Sequence, residues 1–481
     1  MRDFVPKPLF SLAAALKKET GKPLYLIGGK VRDYLAGFSM VSSDFDICAP
    51  VPAEIFMKTA LTSGFCADAA YARTGTMKIS LRQNGGNEKN DIKTEAEYAA
   101  FRSDKYVRGT HTPAETFFTE DILLDARRRD FTCNAVYYDI VADTFVDPLG
   151  GMKDIRNKLL RTVDKPGKVF GEDGLRLLRL ARFAGATGFS PTPETLDGAK
   201  TNAALIADVS PERIFAELKQ ILCSERKYGN ADGIYQALKI LDETRVLDGI
   251  FPDLAAGRNL KQRADFHNHD VLEHSLRAAA YSARANALAG VSPDIPVPFD
   301  VRLAALLHDI GKPAAYFRDG KFSDHPNVGA VLARAALEKL KAPVKTIKLV
   351  EELTKYHMYD YDLCTKENKL RKFIVLHYDI FNELLLVKQA DFSACKDDFS
   401  TAPGVTRLKN LADKMRAEGA PFTLKELAVR GNEIAPLLPS SRYVGATLEA
   451  LLLHCAVTPA DNTKERLLRL APSFGIVGGK N

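Results

Sequence analysis

Asp44 and Asp46 flank Phe45 in the segment Ser43-Asp44-Phe45-Asp46-Ile47. On an extended strand, residues two apart face the same side, so the two carboxylates stand together while Phe45 and Ile47 face the opposite, buried side. Paired carboxylates repel, and a divalent cation relieves the repulsion. Mg²⁺ takes oxygen ligands and shares them with substrate phosphates. Two such ions, about 3.5–4 Å apart, activate a hydroxyl and stabilise a leaving pyrophosphate. An Asp-x-Asp pair alone reads as the solvated face of an edge strand. Ahead of it, Gly28-Gly29-Lys30-Val31-Arg32-Asp33 follows the apolar run Leu24-Tyr25-Leu26-Ile27 and opens a helical stretch to Gly37. Glycines there admit a phosphate to the backbone, the N–H groups of a helix start face it, and Arg32 would reach a triphosphate.

A second set combines imidazole with carboxylate. His274 lies on the apolar-periodic segment Val271–Leu276, Ala304-Ala305-Leu306-Leu307-His308-Asp309-Ile310-Gly311-Lys312 follows, and Asp391 sits in a later helix. These donors suit Mg²⁺, Mn²⁺, Fe²⁺ or Ni²⁺. A lone His on an apolar face is usually a core residue, whereas His-Asp at the end of an apolar helix is far more specific. A third set, Glu172-Asp173-Gly174-Leu175-Arg176, reads as a helix start continuing to Phe183. Spacings of three and four then put Asp173, Arg176 and Arg179 on one side. A carboxylate that accepts and a guanidinium that donates can together mimic the Watson–Crick edge of a base, although spacing alone equally describes an intrahelical salt bridge.

The elements that must position these groups fall into two regimes. Strands are expected at Leu24–Ile27, Phe45–Ile47, Met77–Leu81 and Ala135–Ile140, with a turn at Gly85-Gly86-Asn87. From about Phe170 the pattern is helical, interrupted by the proline-spaced loop Ser292–Pro298. The 481 residues imply two to four domains, and 46% hydrophobic with 27% charged residues excludes a disordered or collagen-like chain. A net charge of +6 is compatible with a polyanionic partner. Seven cysteines without a Cys-x-x-Cys pair suggest reduced thiols and a cytoplasmic setting. No apolar run approaches the ~20 residues of a membrane span, and Leu9–Leu16 reads as an amphipathic helix rather than a leader.

In order, Gly-Gly-x-Val-Arg-Asp and Asp-x-Asp resemble the nucleotidyltransferase head of the DNA polymerase β superfamily. Arg128-Arg129-Asp130-Phe131-Thr132-Cys133-Asn134-Ala135 resembles the Arg-Arg-Asp-Phe-Thr-Ile-Asn-Ala motif of class II tRNA nucleotidyltransferases and bacterial poly(A) polymerases, with Cys133 in an apolar slot. The resemblance implies that Arg129 and Asp130 hold the ribose of the incoming nucleotide. It also implies that Glu97, with Asp91 and Glu95 competing, is a third carboxylate. Phe101–Phe118 would be a flexible loop and Asp147–Gly151, with Asp154, a hinge. Glu172-Asp173-x-x-Arg176 resembles the motif with which these enzymes select CTP and ATP, Arg179 assisting with the triphosphate. Ser210-Pro211-Glu212-Arg213-Ile214 with Glu217 resembles a further, supporting motif. The similarity runs from Leu24 to Leu222 and resumes at Leu424–Leu468. The His274, His308-Asp309, Asp391 set resembles the HD phosphohydrolase superfamily, which implies a metal there, a second site completed by His325 and His357, and Asp309 and Lys312 nearest a substrate phosphate.

The reading is therefore an α+β chain, a polymerase-β-like head followed by an elongated all-α body. The head spans 1–150, the neck 151–260, an HD domain 261–400 and a helical tail 401–481. The resemblance implies a tRNA nucleotidyltransferase adding CCA from CTP and ATP, with Mg²⁺ in the head and Mg²⁺ or a transition metal in the HD domain. Poly(A) addition, CC- or A-addition, and an HD phosphohydrolase with a nucleotide-binding head are the alternatives. No membrane partner is expected, and the sequence leaves the oligomeric state open.

Overall fold

The computed structural model describes residues 1–39, 44–68, 75–83, 92–105, 115–291 and 295–477. Asp91, the Gly85-Gly86-Asn87 turn, residues 106–114 of the expected flexible loop and residues 292–294 of the proline loop lie outside that set, as does the side chain of Asp44. The chain divides into two compact units, Met1–Pro252 and Asp253–Asn481.

In the first unit, an amphipathic helix, Lys7–Thr20, buries Leu9, Leu12, Ala13 and Leu16 and stops at Gly21 in the left-handed region. The strands are β1 (Tyr25–Leu26), β2 (Asp44–Ala49), β3 (Cys66–Asp68), β4 (Thr76–Gln83), β5 (Ile92–Ala100), β6 (Arg102–Lys105), β7 (Glu115–Phe118), β8 (Tyr137–Asp139) and β9 (Thr144–Val146). Seven of them form a mixed sheet in the order β3-β4-β5-β2-β1-β8-β9, with β6 and β7 paired separately. β2 runs parallel to β5 and antiparallel to β1, so the Asp-x-Asp strand is central. This removes the edge-strand reading of the aspartates. Phe45 and Ile47 are buried on one face, whereas on the other face Cys48 enters a core with Ile27, Phe101, Ala135 and Tyr137. Asp46, one step along that second face, is exposed at its mouth.

The expected strand at Ala135–Ile140 is shorter than anticipated, because Thr132–Asn134 forms a 3₁₀ turn before β8. The segment from Glu172 differs more. Glu172 closes one helix, Pro166–Glu172, and the next begins only at Leu175. Asp173 is extended, with φ −144°, and its carboxylate accepts from the Leu175 amide at 3.0 Å. The side-chain bond competes with helical backbone pairing, so Asp173 leads the helix of Arg176 and Arg179 without being part of it. At Asp147–Gly151 the two glycines serve different ends: Gly150 takes a left-handed φ of +77°, and a Cβ on Gly151 would lie 2.1 Å from the Thr132 carbonyl oxygen. Asp147 caps the following helix by accepting from the Gly151 and Met152 amides.

The second unit is helical among its described residues. Val271–Tyr281 is capped by Asp270, whose side chain accepts from the Glu273 amide. Phe299–Leu307 buries nearly every side chain, because helices surround it. Lys312–Asp319, His325–Lys339, Val344–Tyr356 and Phe381–Lys396 complete the bundle that carries the histidines. Gly311 is forced by packing: a Cβ there would stand 2.2 Å from the His325 carbonyl oxygen. The glycine after His308-Asp309 thus seats the turn directly on the helix of His325.

Candidate active site and metal centre

Gly28 adopts φ +74°, and a Cβ built there would meet Asp46 Oδ2 at 3.0 Å. Only glycine combines that backbone with that proximity. Register pairs Glu95 with Asp44 and Glu97 with Asp46, which sets Glu97 beside Asp46 on one face of the sheet. Glu97 is exposed and ion-paired with Lys78 at 2.8 Å. Gly29 opens the helix that carries Lys30, whose ammonium covers the Phe45 ring at 4.6 Å.

Arg32, expected to reach a triphosphate, is 1% exposed. Its guanidinium donates to Asp33 Oδ1, to Asn134 Oδ1 at 2.8 Å and to the Tyr228 hydroxyl at 2.8 Å. Tyr228 in turn donates to Asp33 Oδ2 at 2.6 Å. Asn134 donates to Asp130 Oδ1 at 3.1 Å, and Arg179 donates to Asp130 Oδ2 through Nε at 2.8 Å and Nη2 at 2.5 Å. One chain of hydrogen bonds therefore links Tyr228, Arg32, Asn134, Asp130 and Arg179, closing the glycine motif and the Arg-Arg-Asp motif onto the helix of the third motif. Burial would raise the Asp130 pKa, but Arg179, Asn134 and the Phe131 amide outweigh it and hold it at about 2.

Arg129 is held by Asp125 Oδ2 at 2.9 Å, and Arg128 by Asp125 Oδ1 at 2.8 Å. Asp125 is fully buried, also accepts from Tyr137, and has its pKa lowered because the two arginines outweigh desolvation. Arg176 is 5% exposed; it donates to the carbonyls of Val169 and Arg128 and to Glu172. Its donors reach a base edge only by exchanging these partners. Arg32, Arg179 and Arg182 stand 5.2, 5.1 and 4.4 Å from the centre of the Phe183 ring. Burial first and Arg179 second lower the Arg182 pKa, against the opposing pull of Glu217, which pairs with Arg182 at 2.8 Å. This corner suits a polyanion.

In the second unit His274, His308 and Asp309 are buried together, with Asp391 half-buried beside them. His274 Nε2 lies 3.0 Å from Asp391 Oδ1, 3.1 Å from His308 Nε2 and 3.4 Å from Asp309 Oδ2. His308 Nε2 is 3.2 Å from Asp309 Oδ2. The other oxygen, Oδ1, faces His325 Nε2 at 3.1 Å and His357 Nε2 at 3.6 Å, and those two nitrogens are 3.3 Å apart. His308, His325 and His357 each donate Nδ1–H to a carbonyl three residues back, of Ala305, Phe322 and Thr354. In their neutral forms that leaves Nε2 of each as an acceptor. Two such acceptors 3.3 Å apart are bridged by a shared proton or by a metal cation, and the imidazole and carboxylate groups on both sides of Asp309 are of the kind that fits a divalent metal. Lys312 Nζ sits 2.6 Å from Asp309 Oδ2 and donates to Gln262. Lys388 braces the His357 loop by donating to the carbonyls of His357 and Tyr359, and burial lowers its pKa to about 8.

Reasoning from sequence passed over Asp125, Tyr228 and His267. Asp125 stands three and four residues before Arg128 and Arg129, a spacing that signals the pair on a helix. Tyr228 carries no local signal, since its partners lie 195 and 196 residues away. Among the described residues no helix is long and apolar enough to cross a membrane.

Comparison with known proteins agrees with this arrangement. Residues 24–161 match the family described as poly A polymerase head domain, residues 188–257 that described as "Probable RNA and SrmB-binding site of polymerase A", and residues 271–391 the HD domain. The A-adding tRNA nucleotidyltransferase of Deinococcus radiodurans is 30% identical over 94% of this chain and 92% of its own. The multifunctional CCA protein of Acinetobacter baumannii is 30% identical over 70% of this chain and 74% of its own. In fold, the chain is similar to the Bacillus stearothermophilus CCA-adding enzyme solved with CTP, with TM-score 0.66, 23% identity and coverage of 98% and 99%. The nucleotidyltransferase and HD families are both metal-dependent. The chain belongs to the class II tRNA nucleotidyltransferases, the family of CCA-adding enzymes and bacterial poly(A) polymerases, and carries an HD domain.

Proposed function

We propose that this nucleotidyltransferase builds the 3′-terminal CCA of tRNA from CTP and ATP without a nucleic-acid template, in the cytoplasm. The observation that carries this reading is Gly28, in a left-handed conformation, held against Asp46 on the central strand. A phosphate then approaches backbone and carboxylates from one side. Asp44 and Asp46 would hold Mg²⁺, with Glu97 as third carboxylate. The metal supplies Lewis-acid stabilisation of the phosphoryl oxygens. The tRNA 3′-hydroxyl attacks the α-phosphorus, its proton is released, and the bond to pyrophosphate breaks. Gly28 and Gly29 admit the triphosphate, Arg129 and Asp130 orient the ribose, Arg179 holds Asp130 directly and Arg32 holds it through Asn134, and both arginines supply positive charge. Asp173 and Arg176 select the base, Arg176 after exchanging its carbonyl contacts. The head 1–150 and neck 151–260 carry this chemistry.

The HD domain, 261–400, would hold a divalent transition metal or Mg²⁺ through His274, His308, Asp309 and Asp391, and a second ion through Asp309, His325 and His357. It would hydrolyse phosphomonoesters or 2′,3′-cyclic phosphates, with Lys312 against the phosphate. The tail, 401–481, completes the body. A second reading, addition of the terminal A alone, is favoured by the nearly full-length similarity to an A-adding enzyme. Transcripts ending at the discriminator base, after one C or after two C, each supplied with CTP, ATP or both, decide between them: CCA addition extends all three, A-addition only the last.

A further inference from the structure

Three of the four imidazoles at the HD centre have Nδ1 fixed by a carbonyl, and His274 does not. His274 is fully buried, its Nε2 is turned toward Asp391 and His308, and its Nδ1 is buried with no hydrogen-bond partner. The ring of His267 stands across from it, 4.9 Å between centres and 88° between planes, and His267 Nδ1 is likewise buried without a partner. Cys395 is the third member of the group. It lies one turn beyond Asp391 on the same helix, its Sγ 4.0 Å from Asp391 Oδ1. One ligand atom from each of His267, His274 and Cys395 fits within a 4.8 Å span.

The surroundings hold these groups in place. The Asn268 amide donates to the Cys395 carbonyl at 2.9 Å. His269 reaches Asp397 at 3.2 Å, and Arg277 pairs with Asp397 from the helix of His274. The segment bearing His267 is therefore tied to the end of the helix bearing Cys395. His267 and Cys395 are both partly exposed, so an ion can enter from solvent.

We propose that His267, His274 and Cys395 form a separate binding site for a thiophilic divalent cation of the Zn²⁺ class, joined to the HD centre by the His274 ring. Sulfur distinguishes it: the HD centre offers only nitrogen and oxygen, whereas a thiolate with imidazoles selects softer ions. The His274 ring ligates here through Nδ1 and in the HD centre through Nε2. Binding releases the Cys395 thiol proton and the His274 Nδ1 proton to the buffer, and water supplies the remaining position. An ion there fixes the ring of His274 from behind, as the carbonyls of Ala305, Phe322 and Thr354 fix the other three. The site is independent of whether the HD centre hydrolyses anything.

The test uses the full-length chain, stripped of metal and titrated with Co²⁺ as a spectroscopic probe, then with Zn²⁺ under equilibrium dialysis. A sulfur-to-cobalt charge-transfer band should appear in the wild type and vanish in Cys395→Ser, and that variant should bind about one equivalent of Zn²⁺ fewer. His267→Gln should weaken the band by at least about tenfold in apparent affinity. A folded His308→Ala/Asp309→Asn variant should keep the band, which separates this site from the HD metals. Absence of the band in wild type overturns the proposal whatever the variants do. Its persistence in Cys395→Ser also overturns it, by placing the ion on another of the seven cysteines.

Discussion

Arg179 and Asp130 are joined by two hydrogen bonds to one carboxylate oxygen, at 2.8 and 2.5 Å, across 49 residues of sequence. Asp130 Oδ1 is engaged separately by Asn134 and the Phe131 amide. The residue assigned to the ribose is thus immobilised from the helix that follows the base-selecting segment. Replacing Asp130 by Asn should lower kcat/KM for ATP and CTP about 100-fold, close to 3 kcal/mol, and narrow the preference for NTP over dNTP. Single-turnover incorporation of each nucleotide measures both; an unchanged NTP/dNTP ratio removes the ribose role.

The same pair sets an acid response. The folded pKa of Asp130, about 2, lies below the ordinary carboxylate value near 3.9, so its stabilisation is complete above about pH 4 and is lost as pH falls toward 2. Its size is about 2 kcal/mol. Thermal melts of wild type and Asp130→Asn should differ most at pH 5–7 and converge as pH falls toward 2. A gap that stays constant down to pH 2.5 contradicts the shift.

Gly28→Ala tests the close approach. The variant combines a left-handed backbone with a methyl 3.0 Å from Asp46 Oδ2. It should lose about 100-fold in nucleotide addition while costing only about 1–2 kcal/mol of stability. Full addition by the purified variant would show that nothing needs the space.

Arg176 separates support from selection. Alanine leaves the Val169 and Arg128 carbonyls without their donor, which should cost about 2–4 kcal/mol. Assayed well below its melting point, the variant should also accept UTP and GTP. If it melts early yet keeps full preference for CTP and ATP, Arg176 only braces the helix.

The second pair of HD histidines has its own consequence. His325→Ala/His357→Ala should lose about one equivalent of bound transition metal and most hydrolysis of 2′,3′-cyclic AMP while retaining nucleotide addition. Metal analysis and paired assays check this. Unaltered metal content would confine the centre to His274, His308, Asp309 and Asp391.

The motifs were legible because their chemistry is local. Asp44 and Asp46 follow from strand period, and His308-Asp309 from its place at the end of an apolar helix. Even the Gly311 after it has a packing reason in the His325 carbonyl. Groups defined by distant partners were not legible. Tyr228 meets Arg32 and Asp33 only after the neck folds back, and His267 meets Cys395 across more than 100 residues. The helix expected from Glu172 failed for a local reason, the Asp173 carboxylate capturing the Leu175 amide. The burial of Arg32 and Arg176 was invisible for a further one: a spacing places a guanidinium on a face without saying which carbonyls and carboxylates already occupy it.

The most direct measurement is extension of a tRNA transcript that stops at the discriminator base, by wild type and by Asp46→Asn, in Mg²⁺. With CTP and ATP together the wild type should add three nucleotides, with CTP alone two, and with ATP alone none, while Asp46→Asn adds nothing despite an unchanged melt. Failure of the wild type to extend it, long ATP-only tails, or full extension by Asp46→Asn would contradict the account.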